Sequence, residues 1–406
     1  MTKTEMKKIG VCACYNTKNY GSMLQTLATC RMLEALGYDY EIINYTRKPT
    51  LGLILRSLGR IPEKMQIKKA RSEQGKRMEA YPDVKSGIRE RDRCFDIFMT
   101  GTFTKMSSAY DTFAQLQKAA REYDAVLVGS DQLWLPQGYS TGFYTLMFVP
   151  DEIPKIAYAT SFGVSEIPEN KKRAARIFLN RIGYISVREL RGSQIVKELT
   201  GRDVPTVVDP TLLFDSAAWE KIIPRQSVSE VKDKEYIFCY MLGNNPEQRK
   251  AVKVISERKG LPVVFIPHLD EFIESDVGFG DYELYHVGPA EFINLIRHAS
   301  YVCTDSFHGS VFSILHHKQF VTFNRFKDGS DSSRNSRIES LLEQTGLMSR
   351  RVNVGTDADI LIKLDAEIDY FHVDQLAAQM RERSVSYLKE ALSESCHEET
   401  DDQSRG

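Results

Sequence analysis

The chain has 406 residues, of which 42% are hydrophobic and 27% are charged, and its formal net charge is −1. This length exceeds what one hydrophobic core usually organises, so we expect two domains. The balanced charge gives no general attraction for nucleic acid, and the sequence contains no motif that reads DNA or RNA, so we expect no nucleic-acid partner.

Strands and helices alternate along the first half of the chain. The predicted strands are KKIGVCAC, YEIINY, YDAVLVGSD, KIAYATSF and YISVRE. The segment NYGSMLQTLATCRMLEALG carries apolar residues at helical spacing and ends at Gly37, which predicts a helix after the first strand. Because strands that alternate with helices are typical of a parallel sheet, we assign residues 1–205 to an N-terminal Rossmann-like domain.

A basic insertion, residues 47–90, interrupts this first domain. Its part 47–77 contains ten basic residues against two acidic ones, Glu63 and Glu73. One interpretation is an inserted helical segment with a solvated basic face. The other is a peripheral contact with anionic lipid at the inner membrane face, or with a pyrophosphate-linked acceptor.

The second half of the chain repeats the alternation. The predicted strands are KEYIFCYML, LPVVFIPHL, YVCTDS and QFVTFN, and the predicted helices are EQRKAVKVISERKG, PAEFINLIRHA, GSVFSILHH and SRIESLLEQTG. We therefore expect a C-terminal Rossmann-like domain over 206–370, a C-terminal helix over 371–395 and a disordered acidic tail over 396–406. The domains are expected to meet near VPTVVDPTLLF, where Pro205 and Pro210 bracket an extended segment.

The cysteines and the hydropathy indicate the compartment. The seven cysteines are Cys12, Cys14, Cys30, Cys94, Cys239, Cys303 and Cys396. An odd, scattered set argues against a disulfide framework and fits a reducing compartment, and no second Cys or His cluster completes a zinc site, so we expect no metal. No segment approaches the roughly 20 apolar residues that span a bilayer, so we expect a cytoplasmic protein.

Polar turns follow the predicted strands at their carboxyl ends, where ligands bind in open parallel sheets. These turns are Asn16–Gly21, Gly129–Gln132, Ser161–Gly163, Arg188–Glu189 and Asp305–Gly309. The last one places an acid, a hydroxyl and an imidazole between a predicted strand and a predicted helix. Together the turns predict a ligand site in the cleft between the two domains.

Six segments, taken in order, resemble the polysaccharide pyruvyl transferase family. They are NYGSMLQTLA, DAVLVGSDQLW, AYATSFG, SVRE, VVDPTLL and TDSFHGSVFSI. The resemblance implies an α/β fold of two Rossmann-like domains with parallel sheets facing a cleft, as in the glycosyltransferase B architecture. It also implies an enzyme of cell-envelope or exopolysaccharide synthesis that moves the enolpyruvyl carbons of phosphoenolpyruvate onto two sugar hydroxyls, giving a cyclic ketal and phosphate, with no cofactor besides that donor.

Ketal formation needs a proton at the methylene carbon of phosphoenolpyruvate, and histidine suits this step because imidazole titrates near neutrality. His308 matches the histidine of the family motif and is the expected general acid. Asp305 is expected either to orient this imidazole or to cap the following helix, and Ser306 serves the same turn. Gly309 lets that helix begin close to a ligand, so that its first amides meet an anion.

Arginine binds carboxylate and phosphate in bidentate fashion, and Arg188 in the SVRE segment is the strongest candidate for that role. Some members of the family carry an arginine two residues before the motif histidine, where this chain has Ser306. A second cation is therefore expected from Arg325 or Arg337.

The other side of the cleft is expected to bind the sugar. Asp131 is a candidate base for a sugar hydroxyl, and Ser130 stands beside it. Trp134 can stack on a sugar ring or pack in the core. The first strand-to-helix turn contributes the expected substrate-binding residues Asn19, Tyr20, Gly21 and Gln25. The glycine permits a close backbone approach, and the asparagine can also cap the helix.

Two other functions compete with pyruvyl transfer. The family motifs favour pyruvyl transfer, but the missing arginine before His308 leaves room for a glycosyltransferase of the same architecture with a nucleotide-sugar donor. A catalytically silent binding protein is disfavoured by the presence of both His308 and Arg188. The sequence indicates neither the acceptor sugar, nor whether that acceptor is lipid-linked, nor the oligomeric state.

Overall fold

The structure, a computed structural model, describes residues 6–46, 69, 72–268, 272–325, 336–353 and 357–397. Most of the basic 47–77 segment and the acidic tail beyond residue 397 therefore lie outside the described residues.

Two parallel sheets form the framework of the protein. The first sheet has the strand order β2-β1-β3-β4-β5, and the second has the order β11-β10-β9-β6-β7-β8. All neighbouring strands run parallel. The strands are β1 (Lys8–Cys12), β2 (Asp39–Ile42), β3 (Ala125–Val128), β4 (Lys155–Thr160), β5 (Tyr184–Val187), β6 (Ile237–Tyr240), β7 (Val263–Phe265), β8 (Tyr282–Glu283), β9 (Tyr301–Thr304), β10 (Gln319–Phe323) and β11 (Arg351–Val352).

Helices cover both faces of each sheet. The labelled helices are α1 (Tyr20–Ala35), α2 (Pro82–Thr102), α3 (Phe113–Ala120), α4 (Glu169–Arg181), α5 (Leu190–Thr200), α6 (Ser216–Ile222), α7 (Pro246–Lys259), α8 (Pro289–His298), α9 (Phe307–Leu315), α10 (Ser336–Gln344), α11 (Asp357–Asp365) and α12 (Tyr370–His397). In the first domain, α1 and α12 pack on one face and α3, α4 and α5 on the other. In the second domain, α8, α9 and α10 oppose α7 and α11.

Burial of the central strands follows from this layering. Every residue of β3, β4 and β6 is buried, as expected for parallel strands that are covered on both faces. The prediction of two Rossmann-like domains with parallel sheets is confirmed by the strand pairing.

One apolar core continues from the first domain into the second. The ring of Tyr20 at the start of α1 stacks on Phe292 of α8 with 4.7 Å between ring centroids. The Tyr20 hydroxyl donates to the carbonyl oxygen of Val287 over 2.9 Å. Helix α2 also lies against the second domain, since a Cβ at Gly87 would come within 2.2 Å of the Tyr285 ring. These contacts fix the position of one domain against the other.

The C-terminal helix returns from the second domain to the first. Helix α12 packs against β3 and β4, and the Ser384 hydroxyl oxygen accepts a hydrogen bond of 3.0 Å from the backbone amide of Val208. The helix ends two residues later than predicted, and Cys396, expected in the tail, is helical and buried. Among the residues that the structure covers, no helix has both the length and the apolar composition for crossing a membrane.

Each sheet reverses its winding direction once, between β1 and β3 in the first domain and between β6 and β9 in the second. At such a reversal the loops after the two strands diverge and leave a crevice at the carboxyl edge of the sheet. Three of the polar turns identified in the sequence follow β1, β3 and β9 at these reversals, and the other two follow β4 and β5 at the same carboxyl edge of the first sheet. The fold therefore brings them to one cleft.

The packing of α12 can be tested by a single truncation. Leu392 is fully buried in the core under the first sheet, whereas Lys389 on the same helix is exposed. Leu392→Ala removes buried methyl groups and leaves a cavity, so it lowers the free energy of unfolding by about 2–5 kcal/mol. Lys389→Ala changes it by less than about 0.5 kcal/mol. Urea denaturation measures both, and equal effects would show that α12 is not packed on the sheet.

Candidate active site

A polar cavity of about 240 Å³ lies between the two sheets. Its lining residues come from the turns after the strands at both reversal points, from the first turns of α1 and α9, from the residues after β10 and from the start of α10. They are Thr17, Asn19, Ser22, Asp131, Gln132, Leu242, Asp305, Ser306, Phe307, His308, Arg325, Arg337 and Ile338.

The motif histidine is held by the turn from β9 into α9. The Ser306 hydroxyl caps α9 by accepting from the backbone amide of Gly309 over 3.3 Å, and the Ser306 amide donates to the Thr304 hydroxyl over 3.0 Å. His308 is the second residue of α9, and only 8% of it is exposed. Ser306 therefore fills the capping role that the sequence also allowed for Asp305.

Asp305 neither orients the imidazole nor caps the helix, which were the two roles expected from the sequence. Its two carboxylate oxygens accept from the backbone amides of Leu242 and Gly243 over 2.6 and 2.7 Å. The guanidinium Nε of Arg325 lies 3.8 Å from the same carboxylate. Asp305 thus anchors the turn after β6 and holds Arg325 at the cavity, and the carboxylate beside His308 is that of another residue, Asp209.

Gly21 allows the first helix to lie directly on the imidazole. A Cβ built at Gly21 would lie 1.9 Å from His308 Nδ1 and 2.4 Å from Cε1. The close approach expected at Gly21 is thus made by a protein side chain. Asn19 caps α1, since its side-chain oxygen accepts from the Ser22 amide over 3.1 Å. Gly309 is tight for a similar reason, because a Cβ there would lie 2.6 Å from the Thr304 hydroxyl oxygen.

Besides Gly21, Gly309 and Arg188, three more predicted site residues lie outside the cavity lining. Tyr20 is in the interdomain core, with 1% of its surface exposed. Gln25 is fully buried in α1, and its amide nitrogen donates to the Ser22 carbonyl oxygen over 3.0 Å. Ser130 is also fully buried, and its hydroxyl donates to Asp209 over 3.0 Å. These three side chains are buried beneath the elements that line the cavity and do not contact it.

Arg188 forms a buried ion pair instead of lining the cavity. Its Nη1 donates to Asp209 Oδ2 over 2.7 Å, and its Nε lies 3.8 Å from Glu189. The guanidinium carbon lies 4.8 Å from the ring centroid of Phe307, which does line the cavity. Sequence reasoning expected Arg188 and His308 to share one crevice. The structure brings them together through Asp209, whose Oδ1 is 3.6 Å from His308 Nε2.

Asp209 is the principal site residue that sequence reasoning missed. It lies in the VVDPTLL segment, which contributes to the family resemblance, and its side chain accepts from the amide and the hydroxyl of Thr211 over 3.0 and 2.7 Å. Burial alone would raise the pKa of Asp209, but the charges of His308 and Arg188, together with these hydrogen bonds, lower it well below its usual range. The sequence did contain a signal for this role: Asp209 is the acid of a largely apolar segment between Pro205 and Pro210, and an acid that becomes buried there needs a partner.

Asp131 combines an unusual backbone with an ionised side chain. Its φ of 83° lies in the left-handed region, which costs energy for a residue other than glycine and is often found at functional sites. Its carboxylate accepts from the Ser22 hydroxyl over 2.5 Å and from the Gln132 amide over 2.8 Å. Burial raises the pKa of this carboxyl, yet the charge of Arg188 and the Ser22 hydrogen bond bring it below its ordinary value.

Both arginines that were expected to supply the second cation line the cavity. Arg325 is held near Asp305. Among the described residues no hydrogen-bond partner reaches the buried Nε of Arg337. Burial, reinforced by the charge of Arg188, lowers the pKa of Arg337 to about 9. The charges of Glu189 and Asp131 oppose this shift only in part, so an anion in the cavity would gain a charged hydrogen bond from this side chain.

Trp134 and His316 belong to the core. The indole is fully buried between Phe162 and Phe178, with centroid distances of 5.1 and 5.4 Å, so the packing alternative holds. The imidazole of His316 is buried next to Ser216, and burial together with nearby positive charges lowers its pKa to about 3. Neither side chain lines the cavity.

Sequence comparison identifies a family. A sequence profile described as "Polysaccharide pyruvyl transferase" matches residues 19–325. That range includes His308, Arg188, Asp209 and Asp131, and it ends before Arg337. A search of curated proteins finds no match.

Structural comparison finds UDP-N-acetylglucosamine 2-epimerases. The Neisseria meningitidis enzyme bound to UDP-GlcNAc has a TM-score of 0.53 and 9% identity, with 96% of this chain and 100% of that chain covered. The Rickettsia bellii enzyme has a TM-score of 0.52 and 8% identity, with 96% and 97% covered. The Methanocaldococcus jannaschii enzyme has 0.52 and 11%, with 90% and 93% covered. At these identities the likeness shows the fold alone, and the predicted glycosyltransferase-B-like arrangement is confirmed.

The contact between α1 and the imidazole yields a prediction. Gly21→Ala puts a methyl group where His308 stands, so overpacking lowers the free energy of unfolding by about 1–3 kcal/mol, and His308 shifts. Gly101→Ala is the matched control, because a Cβ there meets nothing within 4 Å. Because Gly101 is exposed in the last turn of α2, that change alters the free energy of unfolding by less than about 1 kcal/mol. Urea denaturation of both variants measures the difference, and stabilisation by Gly21→Ala would contradict the contact.

Proposed function

The chain belongs to the polysaccharide pyruvyl transferase family, and we propose that it transfers the enolpyruvyl carbons of phosphoenolpyruvate onto a pair of sugar hydroxyls. The observation that carries this proposal is the composition of the cavity. It joins the motif histidine, two guanidinium groups and an ionised carboxylate at the meeting point of both sheets. The acceptor is a sugar of an envelope or secreted polysaccharide, and the donor serves without any other cofactor.

The donor fits the cationic side of the cavity. Phosphoenolpyruvate has a phosphate ester and a carboxylate attached to the same carbon, and Arg325 and Arg337 provide two guanidinium groups for them. Arg188 contributes its positive charge from behind Phe307 without touching the ligand. Ser306 leaves room where other members of the family carry an arginine. The cation is thus supplied from elsewhere in the second domain, by Arg325 and by Arg337 beyond the matched range.

The acceptor fits the opposite side. Asp131 is kept ionised and already accepts one hydroxyl hydrogen bond, from Ser22. A sugar hydroxyl that replaces or joins this partner would be oriented toward the donor and would lose its proton to the carboxylate as it attacks.

The atoms and protons of the reaction balance. His308 gives a proton to the methylene carbon, so the double bond becomes a methyl group and the adjacent carbon becomes electrophilic. One sugar oxygen bonds to that carbon, the carbon–phosphate oxygen bond breaks, and the second sugar oxygen closes the ketal ring. Asp131 passes the proton that it takes from the attacking hydroxyl to the departing phosphate, and the proton of the second hydroxyl restores the imidazole.

The direct test incubates the protein with phosphoenolpyruvate and a panel of free and lipid-linked glycans and measures the mass of each product and the phosphate released. A glycan that gains one ketal-linked pyruvyl group supports the proposal. Thermal shift separates the donors, because a ligand at about 100 times its Kd stabilises the native state by about 2.7 kcal/mol. Stabilisation by UDP-sugars and none by phosphoenolpyruvate would replace the proposal with glycosyl transfer.

Removal of the general acid gives a sharper prediction. His308→Ala takes away the proton donor, so phosphate release falls by about 100-fold or more, the usual contribution of general acid catalysis. His372→Ala is the control, because that histidine is exposed on α12. Phosphate release by the His308 variant within about threefold of wild type would exclude it as the acid.

The cationic side gives a separate prediction. Arg337→Gln keeps a polar side chain but loses the charge, so the Kd for phosphoenolpyruvate rises by about ten- to hundredfold, as expected for a charged hydrogen bond of about 1.5–3 kcal/mol. Arg258→Gln, an exposed position on α7, is the matched control. Isothermal titration calorimetry measures both, and equal affinities would place the donor anions elsewhere.

A further inference from the structure

Asp209 lies where the two domains and the histidine meet. It belongs to the segment that leads from the first sheet to the second and precedes the short 3-10 helix Pro210–Leu213. Its Oδ2 accepts from Arg188 and from Ser130, and its Oδ1 accepts twice from Thr211. The side chain is completely buried. A carboxylate with four donors is fixed in position and in charge.

His308 presents an unsatisfied nitrogen to this carboxylate. Its Nε2 is buried and has no hydrogen-bond partner among the described residues. It lies 3.6 Å from Asp209 Oδ1, which is longer than a hydrogen bond. Buried polar atoms without a partner are rare. A movement of less than about 1 Å would complete the bond, since N–H···O bonds are about 2.7–3.2 Å long.

We propose that Asp209 is the positioning residue for His308: it accepts a hydrogen bond from Nε2–H, fixes the tautomer, and leaves Nδ1 as the nitrogen that transfers a proton in the cavity. The role of His308 as the acid rests on the function proposed above. Arg188 keeps the Asp209 carboxylate ionised, so that a guanidinium of the first domain acts through an acid of the connecting segment on an imidazole of the second.

The proton transfer itself follows from this arrangement. The imidazolium gives its Nδ1 proton to the methylene carbon of phosphoenolpyruvate, whose double-bond electrons form the new C–H bond. The neutral imidazole that remains keeps its Nε2 proton, donated to Asp209. The Asp209 carboxylate stabilises the charged imidazole before the transfer and never takes up a proton, and a hydroxyl proton of the acceptor restores Nδ1.

A purely structural ion pair is the competing explanation. Arg188 and Asp209 would then hold the connecting segment against the first domain, and the nearby imidazole would be incidental. A loss of stability in a variant is expected from both explanations and does not distinguish them. The experiment therefore measures the tautomer of His308 and the separate effects of each substitution on kcat and KM.

The experiment uses the full-length protein with ¹⁵N-labelled histidine. The His308 signals are assigned by their loss in His308→Gln, and the spectra are recorded at a pH at which the imidazole is neutral. We expect the Nε2–H tautomer in the wild type and a mixture of tautomers in Asp209→Asn. Thr211→Val, which removes a hydrogen bond to the same carboxylate oxygen but no charge, keeps the wild-type tautomer. An Nδ1–H tautomer in the wild type overturns the proposal even if neither Asp209→Asn nor Thr211→Val folds.

Kinetics supply the second readout. Asp209→Asn lowers kcat for phosphate release by about 100-fold or more while KM for phosphoenolpyruvate stays within about threefold, because the residue acts on the acid and not on the donor. A kcat within about threefold of wild type, with an unchanged tautomer, shows that the pair is structural. If the wild type has the Nε2–H tautomer but transfers no pyruvyl group, the proposed function fails while the link between Asp209 and His308 stands.

Discussion

The buried ion pair between Arg188 and Asp209 is the constraint on which the site depends. Two charges leave water here, a change that is unfavourable unless the pair also gains hydrogen bonds. Ser130 and Thr211 provide those bonds, from the turn after β3 and from the segment between the domains. The pair therefore ties the carboxyl edge of the first sheet to the chain that enters the second domain. The imidazole of His308 is placed against this fixed point.

The same arrangement explains why the cavity has two chemically distinct sides. Asp209 and Asp305 are close to arginines, and their charges are largely offset. Asp131 is ionised but is held by neutral donors, and the Nε of Arg337 has no hydrogen-bond partner within the described part of the chain. A negative and a positive side chain thus face one small space. A ligand with anionic groups at one end and hydroxyls at the other matches this division better than a uniformly charged molecule.

The two sheets and the position of His308 could be predicted from the sequence, whereas the buried residues that hold the site could not. The reason is physical. Strand-helix alternation and the polar turns reflect local periodicity, so the sheets and the position of His308 could be inferred. Contacts between distant segments leave no local periodicity. Asp209 is 21 residues from Arg188 and was seen only as part of an extended segment, and Tyr20 resembled a site residue because it follows the same strand as Asn19. Only the three-dimensional arrangement shows which of these side chains reach the cavity.

The return of α12 to the first sheet has a consequence for synthesis on the ribosome. The face of β3 and β4 that α12 covers is built before residue 161, but its cover is made of residues 370–397. The apolar face of β3 and β4 therefore lacks the cover of α12 until the whole second domain has been translated. We therefore expect the first half of the chain to aggregate more readily when it is expressed without residues 370–397, because α12 completes the cover of the first sheet.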